Sequence, residues 1–258
     1  VNNNPRNPII NTRSFGEDPD QVSIYGKAYI RGLQDHGMLA TAKHFPGHGD
    51  TEKDSHSSLA EIPSDADRLW SVEIKPFKHA ISSGVDAVMV SHVHAPDYQF
   101  NADLPATLSE FWVSDILKDS LGFEGVVVTD AMSMGGITNN YSVSYGLIET
   151  VNAGCDLIIP DGDYNESINA IEQAVLGGII PAERIDESVL KILRMKEKIG
   201  LNDNRFIEIK DAQGSLKDST FQFTASHMAA KALTLVKNDS KFFPLELKKR
   251  EKLYIIDI

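Results

Sequence analysis

The densest chemistry in the chain lies between residues 43 and 56, Lys-His-Phe-Pro-Gly-His-Gly-Asp-Thr-Glu-Lys-Asp-Ser-His. Its glycines and proline allow sharp turns, and such a loop can swing over a bound ligand. Asp54 stands two residues before His56. In that arrangement the carboxylate can accept the imidazole Nδ1–H, which fixes the tautomer and leaves Nε2 free to move a proton. A single Asp-x-His is as often an incidental feature of a surface loop; the surrounding cluster points to chemistry. A second feature is Asp130, directly after Val126-Val127-Val128-Thr129. A carboxylate at the end of a strand can be a nucleophile, a metal ligand or a helix N-cap, and its position alone does not choose. Met132 and Met134 read as packing residues. A third is Arg13, in Arg-Ser-Phe-Gly-Glu-Asp-Pro, whose fork of donors suits sugar hydroxyls or carboxylates. Its ordinary alternative is an ion pair with Glu17 or Asp18. His92 and His94 can line the same pocket, or can be core histidines satisfied by backbone.

The elements that must position these residues alternate. Residues 19–36 carry Val22, Tyr25, Tyr29, Ile30 and Leu33 at helical spacing and stop at Gly37. Further helical patterns fall at about 65–82, 108–120, 140–153, 163–177 and 182–199, the last with Asp186 as a capping-like residue and a basic end. Between them, 39–45, 85–90, 125–129 and 155–159 are apolar runs of strand length. Strands alternating with helices predict βαβ units and a parallel sheet, doubly wound or a (β/α)8 barrel. The strands run into Lys43-His44, Ser91 to His94, Asp130 and Asp161, so each ends in reactive side chains at its C-terminal edge. A TIM barrel gathers its active site there, and no glycine pattern suited to phosphate follows any strand. The expectation is the C-terminal half of a (β/α)8 barrel over 1–201. A polar linker over 202–220 follows, then the start of an α/β sandwich domain over 221–258, with a helical stretch at 221–236 and an apolar run at 253–257. A start without methionine and an end inside a strand-like run lead us to expect a fragment.

Composition excludes some partners. Lys and Arg number 25 against 37 Asp and Glu, a net charge of −12, which argues against nucleic acid and anionic membrane. Cys155 is alone, so neither an internal disulfide nor a cysteine-rich metal site is available. No run of about 18 apolar residues is present to span a membrane.

Together these motifs resemble glycoside hydrolase family 3, in its β-N-acetylglucosaminidase (NagZ-like) branch. The stretches that carry the resemblance are Asn2 to Ile9, Arg13 to Pro19, Lys43 to Gly49, Asp54-Ser55-His56 and Val128-Thr129-Asp130. It runs to about residue 200, and 229–244 looks like the entry to the sandwich domain of two-domain members. The resemblance implies that Asp130 attacks the anomeric carbon, and that His56, oriented by Asp54, serves as acid and base. Arg13, Lys43 and His44 would hold sugar hydroxyls, with His92 lining the pocket. Two groups with divided roles are what retention through a covalent intermediate needs. The β-glucosidases of the family generally draw a glutamate acid/base from the second domain, so the Asp-x-His loop favours an N-acetylglucosamine-containing oligosaccharide or muropeptide as substrate. No cofactor and no metal are implied, and a periplasmic or secreted location is expected for a two-domain form. The family's sugar-binding aspartate on an earlier strand has no counterpart in the chain. Three rivals stand beside this reading. One is a metal-dependent hydrolase built on His44, His48, Asp54, His56, His92, His94 and Asp130. Another is a phosphorylase, since a neutral imidazole does not repel phosphate. The third is a sugar-binding remnant without activity.

Overall fold

The computed structural model describes residues 1–63, 65–98, 104–160, 162, 164–239 and 243–245. The chain divides into two compact units, Val1–Asp203 and Asn204–Ile258.

The first unit opens with α1 (Pro19–Gln34), which Asp18 caps by accepting from the Asp20 and Gln21 amides and Gly37 ends at φ 77°. Then come β1 (Thr41–Phe45), the two-residue β2 (Ala60–Glu61) and α2 (Ala66–Arg68). From α2 the chain winds through wider π turns at Leu69–Glu73 into α3 (Ile74–Ser82). Pro76 lacks an N–H and its ring crowds the preceding turn, so wider turns before it relieve the clash. Next are β3 (Ala87–Val90), β4 (Val93–His94), a π-wound helix at Phe111–Ser120, β5 (Val126–Ala131) and the short α4 (Gly135–Thr138). After them come α5 (Val143–Ala153), β6 (Leu157–Ile159), α6 (Tyr164–Leu176) and α7 (Ala182–Lys198). α7 begins after Pro181, four residues before Asp186, so Asp186 sits inside the helix and does not cap it.

The main sheet is parallel, in the order β1-β3-β5-β6. Strands that add in chain order, without a reversal around a central strand, follow barrel rather than doubly wound order. Among the described residues the sheet is open, with β1 and β6 as its edges; β2 and β4 form a separate parallel pair. Phe45, Val88, Val90, Trp112, Leu117 and Val127 are buried, and the Phe45 ring meets Phe77 and Trp112 edge-on at 5.2 and 6.1 Å.

Two buried aspartates tie the helices to this sheet. Asp156 accepts from the Val127 amide at 3.0 Å and the Ser188 hydroxyl at 2.8 Å, and pairs with Arg184 at 3.2 Å and Lys191 at 3.4 Å. Burial opposes its charge, yet the Val127 N–H and the nearby cations hold its carboxyl below the usual range. Asp86 accepts from the Ala40 amide and the Gln34 side chain, both at 2.8 Å, and pairs with Lys198. The strand ends opposite these anchors are left for chemistry.

In the second unit, α8 (Ile209–Leu216) and α9 (Ser219–Ala232) are exposed helices. α8 falls within the stretch read from sequence as a polar connector. Its Ile209 and Leu216 are apolar but too sparse to give a strong helical pattern. The apolar run 253–257 and Asp161 lie outside the described residues.

Candidate active site

β1 and β5 deliver the first two groups to the same edge of the sheet. Asp130 is the fifth residue of β5; its Oδ1 accepts from the Ala131 N–H at 2.9 Å and its Oδ2 lies 3.8 Å from His44 Nε2. About a fifth of the Asp130 side chain is exposed (21%), enough for a ligand to reach it. The Lys43–His44 and Phe45–Pro46 peptide bonds are cis. His44 is buried. That burial pushes its imidazole down to about 3, against the pull of the Asp130 carboxylate and with the help of Lys43. The ring is therefore neutral at pH 7, and its approach to Asp130 is longer than a hydrogen bond and is not an ion pair.

The Asp-x-His loop forms the pair that its spacing suggests. His56 Nδ1 lies 2.6 Å from Asp54 Oδ1, which also accepts the His56 backbone N–H at 2.8 Å. Partial burial opposes ionisation of Asp54, but those two bonds and the ring's charge hold its carboxyl below the usual range. Both side chains remain well exposed, 38% for Asp54 and 58% for His56. Charge on Asp130, Asp54 and His56 is felt by the buried His48 ring, so the loop and the strand end belong to one electrostatic cluster.

Two histidines in that cluster act as struts. His48 bonds through Nδ1 to Thr51 Oγ1 at 2.8 Å and through Nε2 to Ser55 Oγ at 2.7 Å. His92, wholly buried, bonds through Nδ1 to Thr107 Oγ1 and through Nε2 to the Ala131 carbonyl, both at 2.9 Å. Burial lowers the pKa of each. Both ring nitrogens of His92 are thus engaged, one by a side-chain hydroxyl and one by a backbone carbonyl. His94 Nε2 stands 3.9 Å from Glu61 Oε2, across the β2–β4 pair.

Arg13 and Lys43 line a cavity of about 470 Å3 together with His44, His48, Phe15 and Glu73. Arg13 makes no ion pair with Glu17 or Asp18; among the described residues its guanidinium reaches the Ile9 carbonyl at 3.5 Å, and Asp18 is occupied as the α1 cap. Among the described residues no three His, Cys, Asp or Glu side chains converge as a ligand set.

Several residues of the site escaped the sequence. Asn7 donates to the His48 and Thr51 carbonyls at 2.7 and 2.8 Å and fixes the turn from below. Ser55, Thr51, Gly135, Gly136 and Asn139 hold the loop from other sides. Asn7, Thr51 and Ser55 lie within motifs visible in the sequence, Asn2 to Ile9 and the 43–56 segment, whereas Gly135, Gly136 and Asn139 lie in none.

Comparison with known proteins supplies a family. The model described as the glycosyl hydrolase family 3 N terminal domain matches residues 1–195. A beta-N-acetylglucosaminidase/beta-glucosidase of Cellulomonas fimi is 34% identical over 99% of the chain and 47% of its own length. Beta-hexosaminidase A of Pseudoalteromonas piscicida is 32% identical over 93% of the chain and 43% of its length. Among solved structures, a family 3 beta-N-acetylglucosaminidase from Paenibacillus sp. str. FPU-7 superimposes with a TM-score of 0.77 at 42% identity, covering 81% of this chain and 40% of that one. The chain thus spans about half the length of the curated relatives it matches.

Proposed function

The chain belongs to glycosyl hydrolase family 3, and on that premise we propose that it carries the catalytic face of a retaining β-N-acetylhexosaminidase releasing terminal β-linked N-acetylglucosamine. The observation that carries the reading is the Asp54–His56 pair, closed at 2.6 Å on a loop bound to the segment that follows Asp130.

In this mechanism an Asp130 carboxylate oxygen attacks the anomeric carbon while the bond to the glycosidic oxygen breaks. The His56 Nε2–H passes its proton to that oxygen, and the aglycone leaves as an alcohol. His56 Nε2, now a base, takes a proton from water; the water oxygen attacks the anomeric carbon from the vacated face and frees Asp130. Two inversions give retention. Asp54 holds Nδ1–H throughout and steadies the imidazolium that gives its proton in the first step and forms again in the second. His44 is neutral in its buried seat, so one ring nitrogen can donate to a sugar hydroxyl without neutralising the nucleophile. Lys43 and Arg13 serve in this reading as charged donors for further hydroxyls. We assign His92 a bracing role, through the Ala131 carbonyl, in place of sugar contact. Residues 1–201 form the C-terminal part of the catalytic barrel domain in this reading, 202–220 a linker and 221–258 the start of a second, α/β sandwich domain.

The substrate is an N-acetylglucosamine-containing oligosaccharide or muropeptide. The double name of the Cellulomonas relative favours a second reading, in which the glucoside is also cleaved. Both are tested with the full-length protein on 4-nitrophenyl N-acetyl-β-glucosaminide and 4-nitrophenyl β-glucoside, with and without phosphate. The N-acetyl substrate should be preferred, Asp130→Ala should abolish turnover, and His56→Ala should lose less on this good leaving group. Indifference to the N-acetyl substrate, or turnover that survives Asp130→Ala, would refute the assignment. Release of a sugar 1-phosphate would make it a phosphorylase.

A further inference from the structure

The acid/base loop is fastened to the segment that follows β5. Three successive carbonyls of that loop, Ser55, His56 and Ser57, each accept a hydrogen bond from one short segment. Gly136 N–H reaches Ser55 O at 3.2 Å, Gly135 N–H reaches His56 O at 2.9 Å, and Asn139 Nδ2 reaches Ser57 O at 2.8 Å. That segment leaves β5 a few residues after Asp130, and its own start is pinned by the Met134 N–H on the Ala131 carbonyl at 3.1 Å. The same Ala131 carbonyl accepts from His92.

Both glycines are there for closeness. A Cβ on Gly135 would lie 2.6 Å from the Ser57 carbonyl oxygen and 2.7 Å from its carbon; one on Gly136 would lie 3.0 Å from His92 Cβ and 3.2 Å from the Ser55 oxygen. Only a backbone without side chains lets the two segments approach to hydrogen-bonding distance.

We propose that Gly135, Gly136 and Asn139 form a docking platform that holds His56 in register with Asp130. They are positioning residues, acting through the loop on the proton transfer alone. The inference rests on the roles given above to Asp130 and His56. Its physical content is that nucleophile and acid/base are spaced by one continuous stretch of backbone, 130–139, so that loop closure and nucleophile position are set together.

A platform of this kind has a signature that a merely structural residue lacks. Loosening it should slow departure of aglycones that need a proton and spare those that do not. The test measures kcat/KM of the full-length protein on a methyl and on a 2,4-dinitrophenyl N-acetyl-β-glucosaminide, since kcat/KM reports the steps up to aglycone departure. Asn139→Asp keeps the shape and removes the donor; with Asn139→Ala it should lose about five-fold on the methyl substrate, the equivalent of one hydrogen bond. The loss on the dinitrophenyl substrate should be less than half as large. Gly135→Ala, which drives Ser57 away, should widen the same contrast. Thermal unfolding of each variant identifies one that has failed to fold, and the Asn139 substitutions, at an exposed position, keep the comparison alive if Gly135→Ala does. Equal losses on the two substrates, or no loss on the methyl substrate, would overturn the proposal. A wild type inactive on both would strike the glycosidase reading itself and take this inference with it.

Discussion

Glu73 makes the sharpest quantitative prediction about the site's foundation. It lies in the π-wound turns behind the Lys43–Gly49 turn, where a Cβ on Gly47 would come within 2.7 Å of its Cβ and Cγ. The side chain is buried; Oε1 stands 3.5 Å from Arg68, which is closer to Asp50 at 2.6 Å, and Oε2 is a buried oxygen without a hydrogen-bond partner among the described residues. Burial pushes the Glu73 carboxyl up to about 7 from an ordinary 4.5, against the pull of Arg68. The folded chain therefore keeps a proton that the unfolded chain releases. Stability from this group is full below about 4.5, declines as pH rises to about 7 and is flat above it, a total of about 3 kcal/mol for the displacement from 4.5 to about 7. Glu73→Gln keeps the neutral shape and removes the titration. Urea unfolding followed by the fluorescence of Trp70 and Trp112 at pH 5, 6, 7 and 8 gives the comparison. The variant should exceed the wild type by about 1 kcal/mol at pH 5 and by about 3 kcal/mol at pH 8. Parallel curves for the two proteins would refute the reasoning, because Glu73 would then ionise alike in both states.

Further perturbations test other links. Asp54→Asn removes the charge behind His56 while keeping an oxygen near both donors. A charge-assisted hydrogen bond contributes about 1.5–3 kcal/mol, and with 38% of the side chain exposed the low end applies, so kcat/KM on an alkyl N-acetylglucosaminide should fall about ten-fold. A fall just as large on a dinitrophenyl substrate would contradict the orienting role. Asp156→Ala leaves Arg184 and Lys191 facing each other with their shared carboxylate gone; the chain should lose about 3 kcal/mol of stability in urea unfolding. A change below about 1 kcal/mol would mean that the cations find water instead.

The sheet was legible because each strand is a short apolar run followed by a helix-period stretch, and the reactive side chains announce the C-terminal edge. Asp130 and the Asp54–His56 pair were legible for a narrower reason. One sits at a strand end and the other is local, so residue spacing nearly determines the contact. What the sequence hid is long-range. Nothing near His92 says that Thr107 and Ala131 take its two nitrogens, and nothing near Gly135 says that His56 O lies above it. β2 and β4 have two residues each, too few for any periodicity to register. The buried clusters around Asp86 and Asp156 draw partners from up to 112 residues away, so their single aspartates look ordinary in the chain. The wide turns before Pro76 had a visible cause in the proline, whereas the π winding at Phe111–Ser120 has none in the local residue types.

The central claim is that Asp130 becomes covalently bound to the sugar. It is tested most directly by trapping the full-length protein with a 5-fluoro N-acetylglucosaminyl fluoride, digesting it and sequencing the labelled peptide by mass spectrometry. The account predicts one sugar per chain, attached to Asp130, with labelling lost in Asp130→Asn and retained in His56→Ala. A label on any other residue, or full turnover of natural substrate with no trappable adduct and inverted product, would contradict it.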